Sequence, residues 1–541
     1  MKCRPALLAA VVSSAGLLLS TAAAAAPAPV RAKCSTTFDL PGAKCRTLVV
    51  PIDRRGTVPG RIKLFFQRVP AKKKSTSTII VFPGGPGAAT SILGYDVLPV
   101  VRKSLPDHDL LLLDLRGTGR SQYLDCDQDL AVGATTLLLG DNSRLIGKGV
   151  QRCAKKIGAR RSYYTTRESI ADVEAVRQAL GIDKFVLIGV SYGTRDAMAY
   201  ARAYPEHTDR IVLDSLVTDN GLDTFGLNTI QAVPRLLRQL CRNGGCDGIT
   251  TDPVADLEKL VAQLRIGPLR SHRPVVLAGC STRVAITRSR LFGLFQEADE
   301  DPALLSQLPV AINQAANGRP YQLSLLLAVK SPKLALCAFS QLFNGLFPDT
   351  SLEDDVELAA HAFSTANQVA TLCEESSLPW PRESVPADRS RFAERALSPL
   401  SDAAFAPFDR ATVLSASLVS TCKFWPSADS PPELPTGPLP EVPTLILGGL
   451  DDLRTPAEDA EAFASVTPGA QLLLVPDVGH STLTVSGCAR RAFFSFMANT
   501  AISPCHRYEQ HRPRPARHVK SWQHEIERLL HRVPRPGTSA R

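Results

Sequence analysis

The stretch 185–193, which reads Phe-Val-Leu-Ile-Gly-Val-Ser-Tyr-Gly, constrains the fold of this chain more than any other. Four apolar residues, two of them β-branched, lead into Gly-x-Ser-x-Gly, and a helix-compatible run follows at 194–204. This order of strand, sharp turn and helix is typical of a turn that lifts a serine hydroxyl above the edge of a sheet. Gly189 and Gly193 would let the strand and the helix pack closely around that turn. The pattern predicts that Ser191 is a nucleophile, while a plain tight turn is the alternative that the rest of the chain must exclude.

Apolar runs along the chain predict the sheet to which this turn belongs. Residues 44–69 are expected to form two antiparallel strands, because 61–69 partly alternates between apolar and polar positions. The next runs are continuously apolar, as in strands covered on both faces, and lie at 78–82, 109–113, 210–214, 443–447 and 471–475. Strands that alternate with helices predict an α/β fold with a mostly parallel sheet and right-handed crossovers.

The length of 541 residues exceeds what one simple core holds, so an insertion or a second domain is expected. The interval between the runs at 210–214 and 443–447 is rich in leucine-containing helical segments and poor in strands. An insertion of that size would stand over the carboxyl ends of the strands, where open α/β sheets bind ligands. The predicted division is a signal peptide at 1–32, the first part of the core at 33–225, a mainly helical cap at 226–435, the second part of the core at 436–505, and a basic tail at 506–541.

Charge gives little support for a nucleic-acid partner. The formal net charge is +10, but residues 506–541 alone hold nine Lys or Arg against three Glu, so the body of the chain is only slightly basic. The composition, 44% hydrophobic and 21% charged, describes a globular chain. The tail suits contact with an anionic cell surface and equally suits a disordered segment.

The amino-terminal segment and the cysteines predict an exported protein. Lys2 and Arg4 precede an apolar stretch from 7 to 19 and an alanine-rich segment up to 26, which is the pattern of a cleaved signal; an uncleaved membrane anchor is the alternative. No stable membrane insertion is expected after cleavage. Removal of Cys3 with the signal leaves twelve of the thirteen cysteines, an even number that favours disulfides. The pairs expected from sequence proximity are Cys34–Cys45, Cys126–Cys153, Cys241–Cys246 and Cys488–Cys505, with Cys280, Cys337, Cys373 and Cys422 pairing among themselves.

A serine nucleophile needs a base and an acid that orients the base. His480 follows the last apolar strand, on a loop that reaches the carboxyl edge of the predicted sheet. Asp452 lies after the preceding strand, so the chain order is Ser, Asp, His, as in α/β-hydrolases. Asp451 and Asp214 are weaker candidates for the acid. No zinc-binding cysteine spacing occurs, and this chemistry requires neither a metal nor an organic cofactor.

An oxyanion hole needs two converging backbone amides. The amide of Tyr192 follows the nucleophile and is the first candidate. The segment Pro-Gly-Gly-Pro-Gly at 83–87, directly after a predicted strand, supplies the second at Gly85. A plain turn is the alternative, and a phosphate loop is excluded because Gly-Lys-Ser/Thr is missing.

Several of these motifs resemble one family. The segments 83–87, 114–121 (Asp-Leu-Arg-Gly-Thr-Gly-Arg-Ser) and 189–194 are similar to those of the α/β-hydrolases of the prolyl aminopeptidase family, and most closely to its secreted bacterial tripeptidyl-aminopeptidase branch. The segments 452–456, 479–481 and 422–426 resemble the C-terminal part of that branch. The resemblance covers about 40–505 and implies an α/β-hydrolase fold with a large cap.

Two positions depart from the family pattern. Pro83 stands where the family has histidine, and Cys373-Glu374-Glu375 stands in place of a Cys-x-Asp motif in the cap. By resemblance, Glu375 or Glu374 would bind the α-ammonium group of a substrate, and a solvated carboxylate pair at a helix end is the alternative.

The expected function is that of a secreted serine exopeptidase, which releases short N-terminal units, either tripeptides or single residues such as proline, from peptides with a free N-terminus. The alternative is a secreted esterase or lipase with the same triad. A binding protein on an inactive hydrolase scaffold is a third hypothesis, which a complete triad disfavours.

Overall fold

The computed structural model describes residues 28–506, apart from 36–37, 94–103, 127–129, 131–142, 220, 278–279, 330–357, 359 and 429–432. The predicted signal segment up to residue 27, Cys337 and the tail from 507 onward therefore lie outside the described residues. A search of the described helices found none that is long and apolar enough to cross a bilayer.

A nine-stranded sheet organises the chain, in the spatial order β1-β2-β3-β5-β4-β6-β7-β12-β13. The first strands are β1 (Val30–Arg31), β2 (Lys44–Pro51) and β3 (Arg61–Val69), which pair antiparallel. The six strands beyond them are β4 (Ser77–Phe82), β5 (His108–Leu113), β6 (Phe185–Val190), β7 (Thr208–Asp214), β12 (Thr444–Gly449) and β13 (Ala470–Val475). These six pair in parallel, and β3 pairs antiparallel with β5. The predicted α/β fold with a mostly parallel sheet is confirmed. The prediction that the run at 471–475 is covered on both faces is wrong, because β13 lies at the edge of the sheet and leaves Gln471 and Leu472 exposed.

Helices cover both faces of this sheet. In chain order they are α1 (Thr90–Leu93), α2 (Ser143–Ile157), α3 (Thr166–Leu180) and α4 (Tyr192–Ala203) before the insertion, and α14 (Ala457–Ser465), α15 (Thr482–Val485) and α16 (Gly487–Met497) after it. One buried cluster joins residues such as Phe66, Leu187 and Ile446 to one helical layer, and a second joins Val186, Leu447 and Phe493 on the other side.

The segment between β7 and β12 is mainly helical. It contains α5 (Leu227–Leu240), α6 (Pro253–Ile266), α7 (Arg288–Ala298), α8 (Pro302–Ala316), α9 (Tyr321–Val329), α10 (Thr365–Glu375), α11 (Pro386–Leu397), α12 (Arg410–Ala416) and α13 (Leu418–Cys422). It also contains the short strands β8 (Leu269–Arg270), β9 (Val275–Leu277), β10 (Cys280–Thr282) and β11 (Ala285–Ile286). Helices α5 to α9 enclose an apolar core of their own, with Val233, Leu257, Phe295 and Leu308 among its members. We call α5 to α9, with the segments that join them, the insertion helices.

Five disulfides lie in the described part of the chain. The four pairs expected from sequence proximity all form, and Cys373 pairs with Cys422. Cys280 is disulfide-bonded as well. Disulfides of this number are typical of proteins that fold in an oxidising compartment.

Candidate active site

The serine that follows β6 lies in a sharp turn, and the glycines on either side of it let the strand and the helix pack closely. Ser191 has φ 56° and ψ −125°, and its amide donates to the Asp214 carbonyl at 2.9 Å. A Cβ on Gly193 would lie 2.1 Å from the Phe82 carbonyl oxygen, and one on Gly189 would lie 2.5 Å from the Gly193 carbonyl oxygen. Both positions therefore admit glycine alone, because a real Cβ does not approach backbone atoms so closely.

His480 and Asp452 meet at the carboxyl ends of β12 and β13. Nδ1 of His480 lies 2.9 Å from Oδ2 of Asp452, and the two side chains are 2% and 0% exposed. The second carboxylate oxygen of Asp452 accepts the amides of Arg454 and Thr455 at 3.0 Å each, while the Thr455 hydroxyl donates to Oδ2 at 2.8 Å. These contacts fix the carboxylate and leave Nε2 as the free nitrogen of the imidazole.

Electrostatics favours the ionised form of both partners. Burial acts to raise the pKa of Asp452, but the charge and the hydrogen bond of His480 outweigh it and hold that pKa below the usual value. Burial acts to lower the pKa of His480, and the charge and hydrogen bond of Asp452 outweigh it, so that pKa is raised. A buried imidazole that readily accepts a proton is what a general base requires.

The other two aspartates considered for the acid have different partners. Asp214 accepts the amides of Thr482 and Leu483 at 3.0 and 2.9 Å and so holds the start of α15, just after His480. Burial raises the pKa of Asp214 to about 6. Asp451 accepts from the side-chain amide of Gln239 at 2.9 Å.

Ser191 and His480 line one large cavity of about 860 Å³ between the sheet edge and the insertion. No hydrogen bond joins the Ser191 hydroxyl to the imidazole among the described residues, and such catalytic contacts are often long before substrate binds. The volume falls within the range of small-ligand sites.

The glycine-rich segment 83–87 lies against the serine. A Cβ on Gly84 would lie 2.9 Å from Cβ of Ser191, so the absence of a side chain there is required for the approach. Gly84 and Gly85 both line the cavity. Tyr192 begins α4, and neither its amide nor that of Gly85 has an acceptor among the described residues. Free amides at these places are what the sequence-based expectation of an oxyanion hole requires.

Glu374 and Glu375 are not among the residues that line the cavity. The Glu374 carboxylate is fully buried and accepts from Trp425 Nε1 at 2.9 Å, Arg382 Nη2 at 2.8 Å and the Ala428 amide at 3.0 Å. These three donors occupy Glu374, and the structure gives it a place in packing α10 against the segment 425–428.

The side chain of Glu375 is equally enclosed, at 3% exposure. One of its oxygens accepts from the Tyr192 hydroxyl at 2.7 Å, and the other accepts the Thr166 amide. Burial raises the pKa of Glu375 despite the nearby Arg195 guanidinium. The structure therefore brings Glu375 next to Tyr192, the residue that follows Ser191.

Four other carboxylates line the cavity: Asp223, Glu297, Glu300 and Asp459. Sequence reasoning missed them because three lie in or beside the insertion and none belongs to a recognisable motif. Burial raises the pKa of Asp459, and the charges of Asp223 and Glu458 raise it further. Arg454 lines the same cavity and pairs with Glu300 at 2.7 Å, so Asp223 and Asp459 form the acidic part of the wall.

Comparison with known proteins agrees with this geometry. A family model described as alpha/beta hydrolase fold matches residues 77–239, and one described as TAP-like protein matches residues 406–505. Serine protease Hip1 of Mycobacterium tuberculosis is 29% identical over 201 residues, which cover 33% of this chain and 37% of that protein. Tripeptidyl aminopeptidase of Streptomyces lividans is 27% identical over 200 residues (34% and 37%), and proline iminopeptidase of Neisseria meningitidis is 28% identical over 160 residues (29% and 38%).

The matched part of the chain thus spans between a third and two fifths of the length of these relatives. Fold and matches together define the class: the chain has the α/β-hydrolase fold, and its C-terminal part is similar to the TAP-like proteins. Within that class the predicted resemblance to the prolyl and tripeptidyl aminopeptidases is confirmed.

Proposed function

We propose that this chain is an exported serine exopeptidase that releases short N-terminal units from peptides. The observation that carries the proposal is the buried Asp452–His480 pair at 2.9 Å, of which His480 lines the same cavity as Ser191. The peptide substrate is inferred from the relatives, which are named as peptidases.

The reaction proceeds in two halves. Nε2 of His480 takes the proton of the Ser191 hydroxyl while Oγ attacks the scissile carbonyl carbon, and Asp452 holds the imidazole in the required tautomer. The Gly85 and Tyr192 amides stabilise the negative oxygen that develops, a contribution of about 3 kcal/mol for each donor. His480 then gives its proton to the leaving nitrogen as the C–N bond breaks, and a water molecule, deprotonated by the same imidazole, releases the acyl group.

Selection for a free N-terminus is assigned to the carboxylates of the cavity wall. Asp459 and Asp223 lie among charges of the same sign, and a cation bound there would relieve their repulsion. An α-ammonium group is such a cation, and its hydrogen bonds to a carboxylate are of the strong, charge-assisted kind. The distance from this wall to Ser191 would then determine how many residues are released.

The experiment compares a free tripeptide anilide with its N-acetylated form. We expect the wild-type enzyme to cleave the free form at least about tenfold better in kcat/KM, which corresponds to about 1.4 kcal/mol. Asp459→Asn is expected to raise KM for the free form alone. Glu461→Gln, an exposed position on the same helix, is the matched control and should leave both substrates unaffected.

The esterase alternative makes a different prediction. An esterase turns over short p-nitrophenyl esters well and gains nothing from a free amine. Equal kcat/KM for the free and acetylated anilides, with faster ester turnover that Ser191→Ala abolishes, would contradict the exopeptidase and leave the triad in place.

A further inference from the structure

A single residue of the insertion contacts two loops of the core. One loop follows β12 and carries Asp452, the proposed acid (the acid loop). The other follows β13 and carries His480, the proposed base (the histidine loop). Asp299 lies in the turn between α7 and α8, and its side chain is 0% exposed. The proposed catalytic residues come from the core, on either side of β13, so these contacts join two parts of the chain that are remote in sequence.

The carboxylate of Asp299 holds the acid loop from outside. Oδ2 accepts the amides of Leu453 and Arg454, at 3.2 Å each, and Oδ1 pairs with the Arg454 guanidinium at 3.0 Å. These amides directly follow Asp452. The side chain of Leu453, also 0% exposed, is a member of the apolar core of the insertion helices.

The backbone of the same residue holds the histidine loop. The carbonyl oxygen of Asp299 accepts the His480 amide at 2.9 Å. The same carbonyl oxygen lies close to Gly479, the residue before His480, and a Cβ on Gly479 would be 1.8 Å from this oxygen. The glycine at 479 is therefore the residue that permits this contact.

The three groups form one compact cluster. One oxygen of Asp299, one of Asp452 and one ring nitrogen of His480 all lie within 4.8 Å of one another. Further anchors converge on the same loop from α5: the Thr229 hydroxyl donates to the Leu453 carbonyl at 2.7 Å.

We infer that Asp299 is a positioning residue for the proposed serine chemistry, because it fixes the acid loop through its carboxylate and the histidine loop through its carbonyl. The insertion is then a structural part of the active site, in addition to forming a wall of the cavity. The inference rests on the proposed function of Ser191, His480 and Asp452.

A charge this close also affects the titration of the imidazole. The groups that act on His480 are Asp452 and Asp299, which raise its pKa, and Arg454, which lowers it; His480 in turn lowers the pKa of Asp214. Burial raises the pKa of Asp299 itself to about 7, with Arg454 opposing. Removal of the Asp299 charge should lower the pKa of His480, so the acid limb of activity should move to lower pH.

The test uses Asp299→Asn, Asp299→Glu and the control Asp301→Asn in the full chain. Asp301 caps α8 by accepting the amides of Ala303 and Leu304, a function that asparagine also performs. For each protein we would measure kcat and KM for a peptide anilide, and the pH dependence of labelling by a fluorophosphonate. Rates are divided by the folded fraction measured by circular dichroism, so that only folded molecules count.

Asp299→Asn is expected to lower kcat by tenfold or more, with KM within about threefold of the wild-type value. The acid limb of the pH profile is expected to move down by roughly half a pH unit or more. Asp299→Glu should keep the wild-type limb while losing kcat, and Asp301→Asn should match the wild type. If Asp299→Asn yields no folded protein, Asp299→Glu alone tests the inference. A wild-type kcat in Asp299→Glu would contradict it.

Two further results would overturn it. One is an Asp299→Asn enzyme with wild-type kcat and an unmoved limb. The other is a loss of activity that disappears when rates are divided by the folded fraction, which indicates a role in folding alone. Failure of the proposed function is recognised separately, by wild-type protein whose hydrolysis survives Ser191→Ala.

Discussion

Gly479→Ala is the sharpest test of the contact between the insertion and the histidine loop. The new Cβ would lie 1.8 Å from the Asp299 carbonyl oxygen. A carbon and an oxygen without a bond between them approach to about 3.4 Å, so one of the two segments must move by about 1.6 Å. The His480 amide, which donates to that same oxygen at 2.9 Å, would lose its acceptor.

A displacement of this size has a large kinetic consequence. Misplacement of a catalytic group by about 1 Å costs about a hundredfold in rate, or about 2.7 kcal/mol of barrier. We therefore expect kcat for a peptide anilide to fall at least a hundredfold in Gly479→Ala, with a smaller change in KM. The measurement is steady-state hydrolysis, normalised to fluorophosphonate-labelled sites.

The matched control is Gly267→Ala, which lies in the insertion, directly after α6. Gly267 has φ 173°, which is extended backbone that any residue adopts, and a Cβ there meets nothing within 4 Å. This variant should retain wild-type kcat and gain slightly in stability, because alanine restricts the unfolded chain. Activity of Gly479→Ala within threefold of the control would refute the reasoning.

Three further variants test other parts of the structure. Asp452→Asn should lower kcat by about 10⁴ with little change in KM, because the amide favours the wrong imidazole tautomer; steady-state kinetics with folding checked by circular dichroism measures it. Cys373→Ala with Cys422→Ala should lower the free energy of unfolding by about 4 kcal/mol, since the bond closes a loop of 49 residues; urea titration measures it, and a change under 1 kcal/mol counts against the estimate. Burial raises the pKa of Asp196 to about 7, so the folded state binds more protons than the unfolded state between about pH 4 and 7, and stability falls as pH rises through that window. Asp196→Asn should make this slope shallower in urea titrations at several pH values, and an unchanged slope would contradict the assignment.

The sequence was sufficient to predict the sheet because each buried parallel strand is a continuous apolar run. It was also sufficient to place Ser191, Asp452 and His480 at one sheet edge, since strands that run in parallel bring their carboxyl ends together. Those three residues follow β6, β12 and β13, and the described geometry places them there.

Other features depend on contacts between remote segments, which leave no local pattern in a sequence. Asp299 reaches the acid loop across more than 150 positions, and nothing in its neighbours marks it. Glu374 is a candidate substrate ligand by its place in a motif, and no sequence pattern predicts that Trp425 and Arg382 donate to its carboxylate in the fold. The partner of a buried polar group is decided by packing, and packing becomes visible only in three dimensions.

The central claim is that Ser191 is the nucleophile of a hydrolase, and covalent labelling tests it most directly. The protein is treated with a fluorophosphonate, digested, and the modified peptide is located by mass spectrometry. We expect a single adduct on Ser191, with labelling and peptide hydrolysis both lost in Ser191→Ala. An adduct on another residue, or hydrolysis that persists undiminished in that variant, would contradict it.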